Sequence, residues 1–181
     1  MTHVCNTAGA STRTTPNRWD SSWPVFVTET QRHAILGYFE DRFGIPLGAF
    51  DAYHVLERHH SYVVLPKSAR VENIASFKVQ NSGLPILRKM PHHLKPTTAA
   101  LQRFGQYATR HVVELTPAEM IGLLREQETR VEMDLQPGYV LLRCEGHLLG
   151  CGIYTPGRLR SLIPLRQVKH QHLPESTHPG H

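Results

Sequence analysis

The chain is short of cysteine, of long apolar runs and, over two stretches, of acid. Cys5, Cys144 and Cys151 are its three cysteines. An odd, widely spaced set excludes a disulfide framework and suits a reducing cytoplasm. Cys144 and Cys151 lie inside apolar segments and read as small core residues. No apolar run approaches the roughly 20 residues of a membrane span. Residues 1–24 lack the apolar centre of a secretory signal and are expected to be a disordered leader. Cys-x-x-Cys, His-Glu-x-x-His, phosphate-loop and nucleophile-elbow patterns are all missing. The thirteen histidines therefore carry no metal spacing, and neighbours such as His59 and His60 point to opposite faces of a strand. No metal, cofactor or catalytic residue is expected; Glu114, Glu119 and Asp134 have ready structural roles.

The shortage of acid is local. Between Leu65 and Val113 the only acid is Glu72, against Lys67, Arg70, Lys78, Arg88, Lys89, Lys95, Arg103 and Arg110. Between Gly146 and His170 there is none, against Arg158, Arg160, Arg166 and Lys169. Acids gather instead between Glu114 and Asp134. With a formal net charge of +5 and a pI near 9.3, this segregation predicts one positive face and a polyanionic partner.

What is present is a run of clear boundary signals. Thr28 and Gln31 form a capping-box pattern ahead of Ile35, Leu36, Tyr38, Phe39 and Phe43, and Gly44 and Pro46 end the helix. Residues 52–58 and 61–65 alternate like two strands around His59-His60. A short helix over 71–77 is expected. Residues 84–89 read as a strand, with Pro85 at its start or at a sheet edge. Thr97 or Thr98 caps a helix carrying Ala100, Leu101, Phe104 and Ala108. Residues 111–115 form a strand. Thr116, Pro117 and Glu119 then open a helix with a capping box and a proline at the first position. Apolar strands meet at a tight Glu145-Gly146 turn, and a last strand is expected over 165–170.

Glu145-Gly146, Leu149-Gly150, Gly157-Arg158-Leu159-Arg160-Ser161 and Pro164-Leu165-Arg166 resemble the second half of a PUA-like domain. They are similar to the C-terminal RNA-binding domain of RsmF-type rRNA 5-methylcytosine methyltransferases. Upstream, Phe43-Gly44-Ile45-Pro46, Lys95-Pro96-Thr97-Thr98, Phe104-Gly105 and residues 111–115 resemble a pre-PUA domain running into a PUA domain. A eukaryotic 60S ribosome-biogenesis factor and its archaeal relatives share that plan. The family's Lys-Asn after Gly-Arg-Leu is Arg160-Ser161 here, which keeps the charge and loses the amide. No Gly-rich turn for S-adenosylmethionine and no Pro-Cys or Thr-Cys nucleophile is present.

The resemblance implies an α+β fold, with a pre-PUA-like α/β domain over 25–109 packed on a PUA-like pseudo-barrel over 110–171. A flexible tail covers 172–181. The function it implies is non-enzymatic, cytoplasmic RNA binding, as an accessory to rRNA or tRNA modification or to ribosome assembly. The expected RNA contacts are Arg158, Arg160, Arg166, Lys169, Arg143, Tyr154, Lys95 and Arg88. Tyr154 would stack on a base, whereas Tyr107 would pack in the core. The expected partners are RNA and a methyltransferase or assembly factor acting beside it. Two alternatives stand next to this: a protein–protein adaptor for a methyltransferase acting in trans, or a small enzyme with a nucleobase pocket.

Overall fold

Thr28 starts the first helix as its position demands. In the computed structural model, which describes residues 25–68 and 83–164, the Thr28 hydroxyl accepts from the Gln31 amide. The Gln31 side chain accepts in return from the Thr28 amide at 2.9 Å. This reciprocal box opens α1, Glu29–Phe43, whose buried face is Ile35, Leu36, Phe39 and Phe43. Gly44, at φ 64°, ends it by donating to the carbonyls of Glu40 and Phe39.

Sheet 1 is antiparallel throughout. Its strands are β1 Val25–Phe26, β2 Tyr53–Arg58, β3 Ser61–Pro66, β4 Leu84–Lys89 and β5 Leu94–Pro96, in that spatial order. The His59-His60 turn joins β2 to β3 as expected. Pro85 is the second residue of β4, beside a register shift in β3 at Tyr62/Val63, where the N–H donor that proline lacks is dispensable. The short strands β1 and β5 were not expected; two or three residues are too few to show an alternation. Thr97 caps α2, Thr98–Phe104, by accepting from the Ala100 amide at 3.0 Å.

Sheet 2 takes up the chain after Arg110. β6 Val112–Leu115 leads into α3, Pro117–Glu126, through a Thr116–Glu119 capping box with Pro117 inside the first turn. β7 Glu128–Arg130, β8 Gly138–Cys144, β9 His147–Thr155 and β10 Arg158–Ser161 complete the order β6-β8-β9-β10-β7. β6 runs parallel to β8, and the other pairs are antiparallel. Because α3 links the two edge strands, the sheet curls around it into a half-barrel. The β8–β9 turn holds Glu145 at φ 48° and Gly146 at φ 79°, the positive pair a two-residue hairpin needs. β7 and β10 were not read as strands: β10 has four residues and β7 three, each hidden among polar neighbours.

The protein is thus a mixed α+β fold with two apolar clusters. One fills the concave side of sheet 2 with Leu123, Val140, Leu142, Tyr154, Leu159 and Ile163 among its buried members. The other gathers Phe39, Phe43, Phe50, Leu101 and Phe104 under sheet 1 and continues into sheet 2 through Leu141 and Cys151. At this seam Gly150, at φ 143°, faces Thr98, whose Cγ2 would lie 2.5 Å from any Cβ placed there. The Gln102 side chain adds a 2.9 Å bond to the Leu149 carbonyl. The expected helix over 71–77, the strand over 165–170, the leader 1–24 and the tail 172–181 lie outside the described residues.

Candidate nucleic-acid interface

The segment after Gly157 becomes an ordered strand because every second residue is apolar or small. Leu159 and Ser161 are buried, while Arg158 and Arg160 point outward. β7 and β9 flank β10. Arg130 of β7 lies directly opposite Arg158, so three guanidinium groups share one face of two adjacent strands. Arg130 was not among the expected contacts; only the β7–β10 register brings it there. Glu128 lies opposite Arg160 and pairs instead with Arg158, at 3.3 Å, both side chains being well exposed. Such a pair is weak and open to replacement by another anion.

The acid-poor and acid-rich stretches of the sequence do not stay apart in sheet 2. Glu114 of β6 accepts from Arg143 of β8 at 2.5 Å and from the Gly146 amide at 3.4 Å. The Arg143 guanidinium holds the Glu114 carboxyl below its ordinary range. Arg143 is opposite Leu148 and Arg158 is opposite Thr155, so the two arginines sit at opposite ends of β9, roughly 20 Å apart. Arg143 therefore does not join the Arg158–Arg160 strip. On sheet 1, Arg88 and Lys95 are direct cross-strand neighbours, whereas Lys89 is taken up by Glu57 and the face of Tyr62. Arg166 and Lys169 lie outside the described residues.

Burial of the two tyrosines is the reverse of what the sequence suggested. Tyr154 is 2% exposed. Its hydroxyl accepts from the Met133 amide at 3.1 Å and donates to the Met133 carbonyl at 2.9 Å. The ring is therefore a core member with no free face for a base, because its strand position falls on the concave side with Leu159. Tyr107, placed in the core by its spacing from Phe104, is 47% exposed. The α-helix gives way at Gly105 to a tighter turn, Gly105–Tyr107, which rotates the side chain off the buried face.

A polar cluster crosses the seam between the sheets. Arg42 at the end of α1 donates to the carbonyls of Tyr139, at 2.7 Å, and Gln136, at 2.9 Å. His111 Nδ1 donates to the Arg42 carbonyl at 2.6 Å. Partial burial, and then the nearby Arg42 and Arg110 charges, hold this imidazole below its ordinary range against the raising effect of that bond. His93, in the β4–β5 turn, meets the Tyr139 hydroxyl at 2.9 Å.

A cavity of about 330 Å³ on sheet 1 is lined by Phe26, Arg32, His54 and Lys67 among others. Its Arg32 is committed to the Phe50 and Tyr53 carbonyls, both at 2.8 Å. Among the described residues no three His, Cys, Asp or Glu groups converge on a metal position, and no helix is long and apolar enough to cross a membrane. The chain matches no family model and no curated protein.

Proposed function

We propose that the protein is a non-enzymatic RNA-binding module, with a pre-PUA-like first half and a PUA-like second half. It would serve rRNA or tRNA modification or ribosome assembly in the cytoplasm. The observation that carries the reading is the alternation in β10. It turns Arg158 and Arg160 outward beside Arg130 on a strand whose other side chains are buried. Arginine forks on a rigid strand suit phosphate oxygens, and the exposed Arg158–Glu128 pair gives way easily to them. Lys95 and Arg88 extend the positive surface on sheet 1. The order β6-α3-β7-β8-β9-β10, with its parallel β6–β8 pair, is compatible with a PUA-like half-barrel. The apolar filling of that half-barrel favours recognition on the outside over a nucleobase pocket within.

The test is a mobility-shift titration of structured and single-stranded RNA against wild type and the Arg158→Glu/Arg160→Glu double variant. The double variant should bind at least about tenfold more weakly. Its plot of log affinity against log salt should flatten by about one unit for each phosphate contact removed. Unchanged affinity and slope would overturn the reading. Unchanged RNA binding with loss of a protein partner would favour the adaptor alternative.

A further inference from the structure

Register places more than phosphate-binding groups on the outer face of sheet 2. Tyr139 of β8, Ile153 of β9 and Arg160 of β10 are direct cross-strand partners, so their side chains share one face. Two strand spacings separate Tyr139 from Arg160, about 10 Å. Ile153 is half-buried between them. The β4–β5 turn overhangs this row, since exposed His93 reaches the Tyr139 hydroxyl at 2.9 Å with the two rings tilted by 33°. Lys95 follows His93 by two residues, in β5, where it pairs with Arg88 across the ladder. The row thus has an aromatic and apolar centre with a lysine from sheet 1 and an arginine from sheet 2 on its flanks. No carboxylate is paired with Lys95 or Arg160 among the described residues.

From this juxtaposition we propose a nucleobase subsite at the seam: an unpaired base of single-stranded RNA lies against His93, Tyr139 and Ile153, while Lys95 and Arg160 hold the phosphates on either side. The subsite rests on the RNA reading and narrows it to a strand with at least one base free to leave its stack. Aromatic faces accept any base, so the contact favours unpaired strands over duplex without selecting sequence. The two halves of the molecule then act together, because neither sheet alone carries both phosphate anchors and the aromatic centre.

Two oligonucleotides of equal length separate base from backbone: ordinary single-stranded RNA, and the same chain with abasic sugars. Fluorescence anisotropy should show wild type binding the first about tenfold tighter. His93→Ala should remove most of that preference and leave affinity for the abasic chain unchanged. Arg160→Ala should weaken both ligands to the same degree. Crosslinking wild type to thiouridine-containing RNA should modify the peptides carrying His93 or Tyr139, which reads the contact without any variant. Equal binding of the two wild-type ligands, a preference untouched by His93→Ala, or crosslinks confined elsewhere would overturn the subsite and leave the RNA reading standing. Failure of wild type to bind either ligand at low salt would overturn both.

Discussion

Tyr154 shows how one residue's role is set by what surrounds it. Its strand position and its aromatic ring are equally compatible with stacking on a base and with filling a core. Burial and two bonds to Met133 decide for the core. Tyr154→Phe should remove both bonds to the half-buried Met133 amide and carbonyl and lower unfolding free energy by about 1 kcal/mol, read by urea titration. RNA affinity should not change; a large loss without loss of stability would return Tyr154 to the interface. Cys151 is the second residue with a definite expectation. Burial pushes its thiol from 9.0 up to about 12. Above pH 9 the unfolded chain therefore releases a proton that the folded chain keeps, and this contribution to stability is lost as pH rises towards 12. The urea midpoint of wild type should fall more steeply over that window than that of Cys151→Ala. At pH 8 iodoacetamide should spare Cys151 until denaturant is added, as peptide mass mapping would show.

Elements were legible wherever the chain announces its own ends. Thr28, Thr97 and Thr116 all cap the helices their sequence context suggested, because a capping bond spans three residues and needs no tertiary partner. Glu145-Gly146 likewise fixes its own hairpin. Strands β1, β5, β7 and β10 were hidden because each depends on a neighbouring strand for its hydrogen bonds. Where α2 meets β9, contact depends on a missing side chain. Gly150→Ala should cost about 2 kcal/mol or more, from the positive φ and the clash with Thr98 together. Adding Thr98→Ala should restore part of that loss, and thermal melts of both single variants and the double variant measure the coupling. Additive effects would show that the two side chains do not meet.

At the scale of the molecule the larger core takes residues from both sheets. Phe104 and Leu101 of α2 share it with Leu141 and Cys151 of sheet 2. Calorimetry should accordingly show one unfolding transition, with calorimetric and van't Hoff enthalpies in agreement. Two resolved transitions would mean that the sheets fold independently and meet only afterwards. The same packing sets the charge distribution. Acids about thirty residues away in the chain from Arg143 and Arg158 come to lie beside them once β6 and β7 take the two edges of sheet 2. Glu114 then meets Arg143 and Glu128 meets Arg158. Net charge was readable from composition, but its arrangement depends on sheet order.

By itself the sequence determined the three helices of the described residues and the central hairpins. Caps, turns and alternation act within a few residues, and short-range physics is written in consecutive letters. Tertiary structure alone decided which arginines share a face, which tyrosine is buried and what meets across the seam. Those outcomes follow from strand order and register, which join residues far apart in the chain. Arg130 beside Arg158 and His93 against Tyr139 exist only because backbone ladders and packing bring them together.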